Sequence, residues 1–113
     1  MRAGGSVDVS YLGGSCVGYA SPAPDLRLNW SGTSRELRIF FESATAGGDA
    51  TLIVNNPAGD WFCVDDANSN TLNPMVVLRL PRPGQYDIWV GTYEPNIGLD
   101  GRLSITETNV GPR

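Results

Sequence analysis

The sequence predicts an all-β protein, an antiparallel β-sandwich of about eight strands. Three observations carry that expectation. Apolar residues recur with a period of two in one segment after another. Clusters of glycine, proline, serine and asparagine break the chain roughly every 8–12 residues. Composition agrees, with 14 glycines and 8 prolines among 113 residues and only 18% charged, a balance that suits short strands joined by tight turns. The length fits one domain over residues 1–113, with no internal repeat and no linker.

The elements follow in order. Segment 6–11 (SVDVSY) alternates and reads as a first strand, with Val7 and Val9 on one face. A Gly/Ser/Pro-rich connection leads to 25–30 (DLRLNW), where Leu26, Leu28 and Trp30 share a face. Segment 35–43 (RELRIFFES) should turn Leu37, Ile39 and Phe41 inward and Arg38, Phe40 and Glu42 outward. After the Ala46-Gly47-Gly48-Asp49 turn, 50–55 (ATLIVN) carries Leu52 and Val54 toward the core. Asn56-Pro57-Ala58-Gly59 turns the chain into 61–64. Strands are then expected at 75–80, 85–93 and 102–106, followed by a frayed tail over 107–113.

Alternation in 85–93 creates a conflict. With Tyr86, Ile88 and Val90 inside, Trp89 points outward, on the side already assigned to Phe40, Ile53 and Val77. Either loops or the chain's own ends cover these residues, or Phe40 and Trp89 form an outer apolar patch for a partner or for a homodimer.

Charge and composition exclude several functions. The net charge is −4 and all eight basic residues are scattered arginines, so the concentrated basic surface needed for nucleic acid is missing. No apolar run approaches the ~20 residues of a membrane span, and no apolar stretch after Arg2 reads as a signal peptide. There is no histidine. Ser/His and Cys/His catalytic machinery therefore cannot be built from this chain, nor can the usual zinc sites. No enzyme is expected. Cys16 and Cys63 read as a disulfide, the competing reading being two buried thiols; a bridge would imply a periplasmic or extracellular protein.

The acidic stretch after the second cysteine is the metal candidate. Asp66-Ala67-Asn68-Ser69-Asn70 alternates oxygen side chains in the manner of the opening of an EF-hand loop. It lacks that loop's glycine and glutamate, since Thr71 and Val77 stand there. Asp65, Asp60 and Asp87 are the acids that could complete a calcium shell. The alternative is an ordinary Asx-rich turn. Adjacent Asp65 and Asp66 call for a cation between them, or for an arginine such as Arg79. Trp61, Trp89, Tyr93 and Phe40 are the candidate binding surface, for a protein or for a polysaccharide.

Several of these residues also form an ordered pattern. Asp49 to Pro57 (Asp-x-x-Leu-x-Val ending in Asn-Pro), the acidic 60–66 loop, and Gly84, Tyr86 and Val90 resemble the bacterial pre-peptidase C-terminal domain family. The likeness is strongest to its secreted proteobacterial members, through Gly14-Ser15-Cys16-Val17-Gly18-Tyr19, Asn73-Pro74 and Ile88-Trp89-Val90-Gly91-Thr92-Tyr93. It spans roughly Cys16 to Thr106. The resemblance implies a jelly-roll-like sandwich, usually appended to exported enzymes as a non-catalytic module, with related collagenase domains binding calcium and collagen. Since no catalytic domain is attached, the expectation is an excised module or a free-standing exported protein.

Overall fold

The computed structural model describes residues 1–112. Ten strands form two packed antiparallel sheets: β1 (Arg2–Ala3), β2 (Val7–Asp8), β3 (Tyr19–Ala20), β4 (Leu26–Trp30), β5 (Glu36–Ser43), β6 (Ala50–Asn55), β7 (Trp61–Val64), β8 (Met75–Arg79), β9 (Gly84–Thr92) and β10 (Leu99–Thr106). One sheet has the order β1-β10-β5-β8. The other runs β2-β3-β9-β6-β7, with β4 also paired to β9. The all-β sandwich expected from the sequence is the fold. The extra strands beyond eight are two-residue pairings at β1 and β3, too short to leave a periodicity.

The core lies between the sheets and follows the alternation. Leu37, Ile39 and Phe41 of β5 meet Leu52 and Val54 of β6, Val76 and Leu78 of β8, and Tyr86, Ile88 and Val90 of β9. Each such side chain contributes about 1.5–3 kcal/mol on leaving water. Tyr86 keeps its hydroxyl satisfied by donating to the Arg82 carbonyl at 2.8 Å. Leu28 and Trp30 pack against this core as expected, whereas Leu26 of the same face is exposed.

Strand β9 is the spine of the larger sheet. On one edge it pairs with β6 along six residues; on the other it pairs first with β4 (Leu26↔Ile88) and then with β3 (Tyr19↔Thr92). Between those two partners the Val90 backbone would be orphaned. Asp25 fills the gap, its carboxylate accepting from the Val90 N–H at 2.8 Å, while Gly4 N–H donates to the Val90 carbonyl at 2.9 Å. Burial pushes the Asp25 pKa up against that hydrogen bond. Gly18 permits the close approach of β3, since its φ is 102° and a Cβ there would sit 2.7 Å from Thr51 Oγ1 and 2.8 Å from the Thr92 carbonyl oxygen.

Three local expectations differ from the structure. Segment 6–11 is not a strand throughout: after Val7–Asp8 the chain enters a 3-10 turn over Val9–Leu12. Asp8 is the cause, because its carboxylate accepts the Ser10 N–H at 2.9 Å and caps the turn. The 3-10 turn carries Val9 over the outer face of the larger sheet. There Val9, Cys16 and Ala20 bury Ile53, with Leu12, Cys63 and Trp89 packed around them.

The second difference is the tail. Arg38, on the outer face of β5, donates through Nη1 to the Val110 carbonyl at 3.3 Å and through Nη2 to Asn109 Oδ1. Residues 109–110 are thus tied back rather than frayed; Arg113 lies outside the described residues.

The third concerns Phe40 and Trp89. Both point away from the core, but they belong to different sheets and so lie on opposite outer faces. Phe40 is only 6% exposed. Its flanking residue Arg38 holds the tail, and Gly111 lies near its cross-strand partner Met75. Phe40 and Trp89 therefore form no shared patch.

Candidate metal centre

The β6–β7 hairpin builds the acidic corner. Its register pairs Leu52 with Val64, so the residue just before β6, Asp49, arrives beside the two that follow β7, Asp65 and Asp66. One carboxylate oxygen from each of the three lies within 4.8 Å of the others. Asp49 and Asp65 are half-buried, and each has a buried Oδ1 with no hydrogen-bond partner. Among the described residues, no ion pair reaches any of the three.

The electrostatics follow from that crowding. Asp49 has its pKa pushed up to about 6, first by burial and then by the charges of Asp65, Asp66 and Glu94. The Asp65 pKa is raised as well, by burial and by Asp66, with a hydrogen bond from Asp49 acting in the opposite direction. Two carboxyls this close can share one proton. Three converging acids can thus be relieved in two ways: by a shared proton, or by a cation that takes up both orphaned oxygens.

The shared proton has a measurable consequence. A carboxyl whose folded pKa lies above its unfolded value stabilises the fold at low pH and loses that contribution as pH rises. For Asp49 the window runs from 3.8 to about 6. In chelator-treated protein the urea midpoint is expected to fall across this range more steeply than in Asp49→Asn, which carries no proton to lose. Equal slopes would show that the corner is not strained.

The other expected ligands are placed elsewhere. Asp60 stays in the turn at the opposite end of β7, its N–H donating to Asn56 Oδ1 at 2.8 Å. Asp87 sits mid-strand on β9, 3.5 Å from Arg27 Nε and accepting from Gln85 Nε2 at 2.8 Å. Asn68 and Asn70 are exposed, and Asn68 Oδ1 accepts the Asn70 N–H at 2.8 Å. That bond makes an Asx turn, and neither asparagine belongs to the Asp49–Asp65–Asp66 cluster. Arg79 pairs with Glu36 at 3.3 Å instead of with the loop.

Asp65 and Asp66 are therefore joined by Asp49, which composition and local spacing do not reveal. The available signal is that Asp49 opens the Asp-x-x-Leu-x-Val segment, whose hairpin returns to the acidic loop.

Of the aromatic residues, Trp61 and Trp89 lie together, ring centroids 5.4 Å apart and tilted by 40°. Tyr93 is exposed beyond the end of β9, its N–H donating to the Asp49 carbonyl at 3.0 Å. Cys16 and Cys63 form a disulfide with Cα atoms 4.9 Å apart. A groove of about 390 Å³ runs along β7, lined by Leu12–Cys16, Trp61–Val64, Val76 and Val77, and its lining holds no carboxylate. Among the described residues, no helix is long and apolar enough to cross a membrane. Models of known protein families and curated proteins yield no match to this chain.

Proposed function

We propose that this protein is an exported, non-catalytic β-sandwich module of the pre-peptidase C-terminal type, stabilised by calcium held between Asp49, Asp65 and Asp66. The observation that carries this reading is the pair of buried, unpartnered oxygens on Asp49 and Asp65 beside a third carboxylate. Burying such atoms unpaired is costly, and a bound cation removes the cost. An all-oxygen, all-carboxylate donor set suits a hard cation; calcium accepts irregular geometry and completes its shell with water and backbone oxygens. The disulfide supports an oxidising compartment, and the absence of histidine supports a non-catalytic role.

Calcium would bind the folded corner and not the unfolded chain, because residues 49 and 65 meet only through the hairpin. At a hundredfold excess over its Kd it would add about 2.7 kcal/mol, on the order of 10 °C in melting midpoint. The test is thermal melting in EDTA and in added calcium, without reductant. The midpoint should rise with calcium in the wild type and stay unchanged in Asp49→Asn. A midpoint that ignores calcium in the wild type, or that responds equally in the variant, would sink the metal assignment.

A further inference from the structure

The outer face of the larger sheet carries a second constellation, remote in kind from the acidic corner. Strand register sets Arg27 opposite Asp87, Asp87 opposite Asn55, and Asn55 opposite Trp61, across β4, β9, β6 and β7. Because Tyr86 and Ile88 face the core, Asp87 and its row face outward. With strands about 4.8 Å apart the row is roughly 15 Å long. Trp89 stands in the adjacent row against Trp61, and Tyr11 of the 3-10 turn joins the two tryptophans around a narrow crevice. Trp61 is 41% exposed and Tyr11 74% exposed.

The chemistry of this strip is particular. Arg27 and Asp87 cancel in charge, 3.5 Å apart, and Asn55 adds a neutral amide. One N–H of that amide donates to the Asp60 carbonyl at 3.3 Å, which leaves the other for a ligand. The row thus offers donors and acceptors in line without a net charge, and ends on an exposed indole. A protein-binding centre accepts Trp, Tyr and Arg but is depleted in Asp, which stands mid-row here as Asp87, and a polyanion would meet a chain of net charge −4. A neutral polysaccharide meets neither obstacle. One face of a sugar ring is a set of C–H groups that rests on an indole by dispersion and quadrupole attraction. Its edge carries neighbouring hydroxyls that can donate to Asp87 and accept from Arg27 or Asn55.

We infer that this face binds a neutral polysaccharide chain, laid along the Arg27–Asp87–Asn55–Trp61 row with a sugar ring against Trp61. The site is separate from the acidic corner and needs no calcium. Affinity electrophoresis of the whole protein in EDTA tests it, in gels containing soluble β-glucan, xylan or galactomannan, with polygalacturonate as the charged control.

Retardation is expected in a neutral gel, persisting at high salt. It should weaken about five- to tenfold in Trp61→Ala, and also in Arg27→Ala, whose exposed position leaves the fold intact by circular dichroism. Three outcomes overturn the inference: retardation by none of the neutral polymers, retardation by polygalacturonate alone, or wild-type mobility in both variants. Because every arm is run in EDTA, failure here leaves the calcium assignment untouched, and the reverse also holds.

Discussion

Replacing both Cys16 and Cys63 with alanine is expected to lower stability by about 4 kcal/mol, the largest loss from any change outside the main core. The bridge closes a sequence separation of 47 residues, so its removal releases that much freedom to the unfolded chain. Its position adds a second effect. Cys63 lies on β7 directly opposite Ile53, and Cys16 is among the residues that bury Ile53. Cutting the bridge frees the covering segment to lift, wetting Ile53 and the packed edge of Trp89. Urea denaturation with and without reductant measures the first effect, and tryptophan emission of the still-folded protein reports the second. A loss under about 1 kcal/mol would mean the cover holds without its staple.

Phe41→Ala is expected to cost about 3–5 kcal/mol. The ring is fully buried and belongs to β5, which pairs with β10 on one side and β8 on the other. Little around it can collapse into the space, because its neighbours are held by sheet registers on both sides. The complementary change sharpens the test. A Cβ built on Gly101 would lie 2.4 Å from Phe41 Cζ and 2.3 Å from the Glu42 carbonyl oxygen. Gly101→Ala should therefore also destabilise, by about 1–3 kcal/mol as an overpacked site does. The carbonyl contact means that shrinking Phe41 relieves only part of it. Chemical denaturation of the two single variants and the double variant gives the coupling directly; full additivity would contradict this account.

The contrast between Phe41 and Phe40 shows how far the sequence could be read. Alternation assigned both side chains to the correct side of β5, because the period of two is a property of the strand itself. Exposure is a property of what else arrives, and the segment that reaches β5's outer face comes from residues 109–111, about seventy positions later. The same limit applies to Ile53, which is buried from outside by Val9, Cys16 and Ala20. Segment 6–11 departs from its own pattern for a different reason. Its alternation is genuine, yet one local hydrogen bond from Asp8 diverts it into a 3-10 turn. In the acidic corner, Asp65 and Asp66 were legible as neighbours in the chain. Asp49 becomes their neighbour only through a hairpin register, and Asn68 and Asn70 make a turn of their own.

The smaller sheet has a consequence in time. Arg2 of β1 pairs with Asp100 of β10, and Ile39 of β5 pairs with Ile105. During synthesis at about 5–20 residues per second, β1 waits roughly 5–20 s for its partner. Through that interval the hairpin of β6 and β7 can already close, while β5 has at most β8 beside it. Nascent chains should thus form the acidic corner early and the sandwich last. Arrest short of residue 99 leaves β1 unpaired and one edge of β5 bare, the condition in which an apolar strand joins another chain instead of its own.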